Sequence, residues 1–143
     1  MNANVARVGR RGFSLVELIA VIAVMAILAA VAIPKFFNYT DKAKEASVKA
    51  TLATTRTAIA NFYADKAASG TAAYPTLKEL RTLGTVLNER MPANPFNKSD
   101  TIAKAVFDVN NPPTAGKAGW NYDPATGRFW ANTVTASVKE NNW

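Results

Sequence analysis

Residues 10–36 read RRGFSLVELIAVIAVMAILAAVAIPKF, and they contain the longest apolar run in the chain. Between Phe13 and Ile33 every residue is apolar or small except Ser14 and Glu17. A helix over this run is about 30 Å long, which matches the hydrocarbon core of a bilayer. Its large apolar side chains lie on all sides of the axis, so no polar stripe remains to face water. The sequence therefore predicts a membrane-spanning helix over residues 13–33.

Glu17 is the one charged residue in this apolar run. A carboxylate in the middle of a membrane helix costs about 2.5–3.5 kcal/mol on insertion scales, and such residues usually have a function. Gly12 stands directly before Phe13, and Arg10 and Arg11 precede it. This order of a basic cluster, glycine, phenylalanine and an early glutamate resembles the processing site of type IV pilins and type II secretion pseudopilins.

The resemblance covers GFSLVELIAVIAVMAILAAVAIPKF and implies a role for each residue of the site. Prepilin peptidase would cleave between Gly12 and Phe13, so that residues 1–12 are a leader peptide, and Phe13 would then be N-methylated. In a filament, Glu17 would face the Phe13 ammonium of a neighbouring subunit. Such pairing offsets the cost of a buried charge and would fix the axial register of the helices. Pro34 would mark the kink that the family's long helix carries.

Three other interpretations compete with this one. A plain signal anchor would explain the apolar run but not Glu17 or the Gly12–Phe13 pair. An ordinary secretory signal is suggested by Ala30-Val31-Ala32, although its apolar core usually spans only about 7–15 residues. That alternative would release a soluble binding module. The third, a core helix of a soluble protein, is disfavoured because the rest of the chain is too small to enclose it.

The charge distribution predicts how the chain is oriented. Residues 1–12 contain Arg7, Arg10 and Arg11 and no acidic residue. By the positive-inside rule this end stays in the cytoplasm, and the chain beyond Ile33 crosses to the other side. We therefore expect a single-pass protein of the inner membrane with its C-terminal part in the periplasm, which later becomes a periplasmic or cell-surface filament.

Composition argues against several functional classes. The chain has neither cysteine nor histidine, which excludes disulfides, Cys/His zinc sites and Ser-His-Asp triads. It also has no phosphate-binding glycine motif. The net charge is +7, from 17 basic and 10 acidic residues, but no Lys/Arg run with interleaved aromatic residues indicates a nucleic-acid site. We expect no enzyme activity, no required cofactor and no specific nucleic-acid partner.

Residues 34–69 are predicted to continue the helix in amphipathic form. Large apolar residues recur on one face of this segment, and Gly70 after Ala68 predicts the end of the helix. The apolar residues on that face are Val48, Leu52, Ile59, Phe62 and Tyr63.

Residues 70–143 are predicted to form a small α+β globular domain. Thr76 and Glu79 have the spacing of a capping box, which predicts a short helix through Leu83 that ends at Gly84. Residues 104–109 alternate in the manner of a strand. Two further strands, 119–123 and 128–132, are separated by the turn sequence PATG.

We expect these strands to form a small antiparallel sheet on the amphipathic half of the long helix, which makes the fold class α+β. The candidate core or interface rings are Trp120, Tyr122, Phe129 and Trp130.

Three segments of this C-terminal part look like the major, G-type pseudopilin of type II secretion. They are YPTLKELRTLG, PANPFN and GWNYDPATGRFWAN. In that family a loop after the second segment can bind calcium. Asp100, Asp108 and Asp123 offer oxygen ligands here, but their spacing fits no calcium-loop motif, and scattered surface acids are the simpler interpretation.

The sequence as a whole predicts a structural subunit that polymerises into a helical filament of identical copies. The favoured role is a pseudopilin whose growth drives protein export through type II secretion. The alternative is a type IV pilin that serves adhesion, motility or DNA uptake. The implied partners are prepilin peptidase, an inner-membrane assembly platform, minor pilins or pseudopilins, and membrane lipid before assembly.

Overall fold

The computed structural model describes residues 12–136 and 138–143. They divide into two compact units: an N-terminal unit that ends at Thr40 and a C-terminal unit, Asp41–Trp143. In chain order the elements are α1 (Leu15–Ala68), α2 (Leu77–Arg81), β1 (Ile102–Lys104), β2 (Trp120–Asp123), β3 (Arg128–Ala131) and a 3₁₀ turn (Glu140–Asn142). The predicted α+β class is confirmed.

The N-terminal unit consists of the first part of α1 and the residues that precede it. The helix begins at Leu15, two residues later than the predicted start at Phe13. It continues through Pro34, as expected for a proline that loosens a turn without ending the helix. Among the described residues, α1 is the one helix whose length and composition suffice to cross a membrane.

In the C-terminal unit, α1 buries one face and ends where the sequence predicts. Val48, Leu52 and Ile59 are buried on that face, and Thr55 lies between them. Gly70, with φ of +79°, provides the left-handed residue that follows the helix. The Thr71 N–H donates to the Lys66 carbonyl at 3.0 Å and the Gly70 N–H donates to the Ala67 carbonyl at 3.0 Å, which completes a Schellman motif.

The short helix α2 begins with the predicted capping box. The Thr76 side chain accepts from the Glu79 N–H, and the Glu79 carboxylate accepts from the Thr76 N–H at 2.8 Å. The helix ends at Arg81 instead of Leu83, because Thr82 already has an extended backbone with ψ of 118°.

The three strands form one sheet in the order β1-β2-β3. Strands β2 and β3 are antiparallel and pair Asp123 with Arg128 across the predicted PATG turn. Strand β1 runs parallel to β2 and pairs Ile102 with Trp120, so the predicted all-antiparallel sheet is wrong and the sheet is mixed. The reason is the connection over residues 105–119, which is long enough to cross over and return in the original direction.

The strand predicted over residues 104–109 is also wrong, since β1 covers Ile102–Lys104. The Ala105 N–H still donates to the Tyr122 carbonyl at 3.0 Å. Two residues later the Phe107 N–H donates instead to the Asp123 Oδ2 at 3.1 Å. A side chain thus replaces the backbone acceptor, and the regular ladder ends although the alternating pattern continues.

Both faces of the sheet are covered. One face packs Trp120, Tyr122 and Phe129 against the buried face of α1. The other face carries Trp130, whose ring meets Phe107 edge-on with 5.3 Å between centroids. The prediction that these four aromatic residues of β2 and β3 form core is confirmed, because each is at most 1% exposed.

The connection before β2 is held by buried side-chain amides. Asn121 Nδ2 donates to the Pro113 carbonyl at 2.8 Å, and Asn132 Nδ2 donates to the Ala115 and Ala118 carbonyls at 2.7 and 2.9 Å. These bonds satisfy carbonyls that have no strand partner, as buried polar groups require. They hold an irregular segment in place without a disulfide.

Gly127 and Gly84 form a matched pair for testing the packing of the hairpin turn. Both have a positive φ, +70° and +78°, but a Cβ at Gly127 would lie 2.3 Å from the Tyr74 ring, whereas Gly84 faces open space. Tyr74 stacks on Tyr63 with 4.5 Å between ring centroids.

We expect Gly84→Ala to lower the free energy of unfolding by about 1–2 kcal/mol through backbone strain alone. Gly127→Ala should cost about 1–3 kcal/mol more, because Tyr74 must leave its stack. Tryptophan fluorescence during urea unfolding measures both, since all three tryptophans lie in the C-terminal unit. Equal losses for the two variants would contradict the packing argument.

Candidate functional site

The peptide bond between Gly12 and Phe13 lies before α1 in an open position. Both residues are exposed, and the Phe13 side chain is 89% exposed. A Cβ added at Gly12 would meet none of the described residues within 4 Å. Glycine suits a bond that a protease must approach closely. Arg7, Arg10 and Arg11, predicted to set the topology, lie outside the described residues.

Glu17 forms a cap on its own helix. Its Oε2 accepts a hydrogen bond from the Ser14 N–H at 2.8 Å. The Ser14 Oγ in turn accepts from the Val16 N–H at 3.3 Å. Serine before the helix and glutamate at its third position thus satisfy two amide donors of the first turn, in a variant of the capping box.

Ser14 is the site residue that sequence reasoning missed. The S-x-x-E pattern at residues 14–17 has the same form as the T-x-x-E pattern at 76–79 that correctly predicts the start of α2. The pattern thus gives Glu17 a role within its own helix besides the predicted intermolecular one. It also explains why α1 begins at Leu15, since an N-cap residue lies outside its helix.

The cap offsets only part of the free-energy cost of placing the Glu17 carboxylate in a membrane. A side-chain cap is worth about 0.5–2 kcal/mol, and a negative charge at a helix N-terminus gains about 0.3–1 kcal/mol from the helix dipole. The carboxylate costs about 2.5–3.5 kcal/mol in the membrane core. A backbone N–H carries no formal charge, so the cap does not neutralise Glu17. Its pairing with the Phe13 ammonium of another subunit stays a prediction.

The helix that follows exposes a continuous apolar surface. Every large apolar side chain from Leu15 to Ile33 is at least half exposed in the N-terminal unit. The residues of that unit that the structure describes leave these side chains uncovered. A surface of this kind on a membrane-length helix is consistent with anchoring in the inner membrane.

Residues 7–33 match the family model described as the prokaryotic N-terminal methylation motif. The matched segment includes Gly12, Phe13, Ser14 and Glu17. Among curated proteins and solved structures, none is significantly similar to the chain. The motif supports the predicted type IV pilin-like or pseudopilin subunit. Motifs of this type imply processing by prepilin peptidase.

The predicted calcium candidates lie in different environments. Asp100 is exposed at the rim of an open cavity of about 530 Å³. Asp108 is also exposed, and its Oδ1 accepts from the Asn110 N–H at 2.9 Å. Asp123 is only 4% exposed. In the part of the chain that the structure describes, no group of three or more acidic side chains is placed to hold a metal ion.

Asp123 has a structural partner set of its own. Its Oδ1 accepts from the Ala125 N–H at 2.9 Å, and its Oδ2 accepts from the Thr126 hydroxyl at 2.9 Å and from the Phe107 N–H. Burial alone would raise the pKa of the Asp123 carboxyl, but these hydrogen bonds outweigh it and hold the pKa below its ordinary value. Asp123 therefore ties the residues after β1 to the β2–β3 turn.

The lowered pKa of Asp123 makes the stability of this unit depend on pH. A carboxyl group whose pKa is lower in the folded state than in the unfolded state stabilises the fold. Its contribution to the free energy of unfolding is complete above the unfolded pKa of about 3.9 and is lost as the pH falls through the folded-state pKa. We expect Asp123→Asn to lower the free energy of unfolding by about 1–3 kcal/mol at pH 7, because hydrogen bonds to a charged acceptor are lost or weakened. The difference in the free energy of unfolding between this variant and the unsubstituted chain should become smaller below about pH 4.

Urea unfolding of the full chain in detergent, followed by tryptophan fluorescence at several pH values, measures this gap. Asp100→Asn is the control, since Asp100 is exposed. A gap for Asp123→Asn that stays constant from neutral to acidic pH would contradict the role of the charged carboxylate.

Proposed function

We propose that the chain is the structural subunit of a filament built by the type IV pilus or type II secretion class of machinery. Prepilin peptidase cleaves between Gly12 and Phe13, the new N-terminus is methylated, and the mature subunit waits in the inner membrane. Copies then leave the lipid and pack through the apolar part of α1. The methylation motif over residues 7–33 supports this function.

The observation that carries the proposal is the uncovered apolar surface between Leu15 and Ile33. Such a surface is stable only in lipid or among other apolar helices, because exposure to water costs about 25 cal/mol per Å². A filament core of identical helices offers the second environment after the membrane has offered the first. The same apolar surface would thus hold the subunit in the membrane before assembly and pack it against other subunits in the filament.

Glu17 supplies the specificity that apolar packing lacks. Apolar helices can slide past one another at little cost, whereas an acid–amine pair is favourable at one stagger only. The carboxylate has about four acceptor positions, so it can keep the Ser14 N–H and also accept from the Phe13 ammonium of a neighbour. We propose that Glu17 selects the register in this way, with its own cap preserved.

The favoured specific role is a pseudopilin of type II secretion, with the C-terminal unit in the periplasm. The resemblance of YPTLKELRTLG, PANPFN and GWNYDPATGRFWAN to the G-type pseudopilin supports it. In this role filament growth drives protein export, with an assembly platform and minor pseudopilins as partners, and the chain has no catalytic function. A type IV pilin at the cell surface is the second candidate, because the N-terminal motif is common to both. Loss of export in a deletion strain favours the first, and long surface fibres favour the second.

Substitution of Gly12 tests the processing site. Gly12→Val should block cleavage, because a branched side chain hinders the close approach of a protease to the backbone. The unprocessed precursor should then accumulate in the inner membrane. Ser14→Ala, on the other side of the bond, is the control and should be processed normally. A mature-sized product from Gly12→Val on an immunoblot would refute the site.

Three substitutions separate the charge of Glu17 from its cap. Glu17→Gln keeps an acceptor for the Ser14 N–H and removes the charge, whereas Ser14→Ala removes the Oγ cap and keeps the charge. Glu17→Ala removes both functions of the glutamate. All three should insert and be processed.

We expect Glu17→Gln and Glu17→Ala to reduce filament yield by about tenfold or more, because losing about 1.4 kcal/mol of association free energy weakens subunit binding about tenfold. Ser14→Ala should reduce it far less. Filaments sheared from cells and counted by electron microscopy give the yield. Normal assembly of Glu17→Gln would show that the hydrogen bond, and not the charge, matters.

A further inference from the structure

The small sheet has two edge strands, and each presents backbone groups that do not face β2. In β3, the Asn132 N–H bonds the Gly119 carbonyl at 2.9 Å, so the alternation of an antiparallel pair turns the Phe129 carbonyl outward. In β1, the Thr101 carbonyl and the Ala105 N–H face β2, so the backbone groups of Ile102 and Lys104 face outward. Open edges of this kind accept strands from other chains.

An arginine of α1 donates a hydrogen bond to the outward carbonyl group of β3. Arg56 Nε donates to the Phe129 carbonyl at 2.9 Å, and its Nη2 donates to the Trp143 carbonyl. Burial of the guanidinium lowers the pKa of Arg56, and the positive charge of Arg128 lowers it further. Neither ion pair found among the described residues includes Arg56. A partly buried cation is thus held by backbone carbonyls and not by an acid.

A second arginine does the same at the opposite edge. Arg81, the last residue of α2, donates through Nη2 to the Ile102 carbonyl of β1. Lys104 is the next residue whose backbone faces outward, and its side chain is exposed. A lysine at such a position discourages strand addition because an approaching strand must desolvate its charge. Guanidinium groups from two different helices therefore bond the outward carbonyl groups of the two edge strands, and the 3₁₀ turn also contacts β3.

We propose that Arg56 and Arg81 prevent a second copy of this chain from adding a strand to either edge of the sheet. Each guanidinium group donates to a carbonyl oxygen that an added strand would use as its acceptor. It also places a positive charge at the edge, which an added strand would have to desolvate. Another copy is the relevant partner, because its C-terminal unit offers the same short strands. The inference concerns the sheet alone and does not depend on the proposed function.

Arg56→Met and Arg81→Met test this role, because methionine keeps much of the aliphatic stem and removes the donors. The full chain in detergent is concentrated, and β-rich oligomers are followed by thioflavin fluorescence and by SDS-resistant bands. We expect both variants to form such oligomers about tenfold faster than the unsubstituted chain. Arg90→Met is the control for loss of charge, since Arg90 is exposed and lies on no strand. It should behave like the unsubstituted chain.

Two further variants separate edge closure from loss of stability. Leu52→Ala weakens the core at a distance from the edges and is compared at a temperature that gives the same unfolded fraction. It should form β-rich oligomers more slowly than the arginine variants. Adding Lys104→Pro to Arg81→Met removes an outward N–H without breaking a bond to β2, and it should restore the slow rate.

The proposal is overturned if the arginine variants form oligomers no faster than the unsubstituted chain. It is also overturned if Leu52→Ala or Arg90→Met matches their rate, or if Lys104→Pro fails to slow Arg81→Met. The proposal is supported if only Arg56→Met and Arg81→Met form oligomers fast and if adding Lys104→Pro to Arg81→Met restores the slow rate.

Discussion

The apolar run of α1 between Leu15 and Ile33 keeps its large side chains at least half exposed. The C-terminal unit, Asp41–Trp143, has a small core of its own. Under the proposed function, lipid covers the apolar run first and other copies of the chain cover it later. The methylation motif at the same segment agrees with this sequence of environments.

Under the proposed function, Glu17 connects helix formation with assembly. It begins as a local stabiliser, because its carboxylate caps the first turn through the Ser14 N–H at 2.8 Å. The cap offsets part of the insertion cost without cancelling the charge. Cleavage after Gly12 would create the missing partner, since it exposes an amine on every subunit. The C-terminal unit shows the complementary design, in which Arg56 and Arg81 occupy the edges of the sheet that a neighbour could otherwise extend.

Features encoded by nearby residues could be predicted from the sequence. The long helix, its stop before Gly70, the cap at Thr76 and the turn between β2 and β3 all depend on residues within about six positions of one another. The parallel pairing of β1 could not be predicted, because it joins Ile102 to Trp120 across an irregular connection. The contacts of Arg56 with Phe129 and Trp143 are equally remote in sequence. The cap by Ser14, in contrast, is encoded by the local S-x-x-E pattern at residues 14–17.

Mass spectrometry of the polypeptide isolated from its native membrane tests the central claim most directly. The account predicts a chain that begins at Phe13 and carries one added methyl group on its amine. A chain that begins at Ile33, as a released soluble module would, contradicts it. So does a chain that keeps residues 1–12, because no subunit would then present the amine that Glu17 requires.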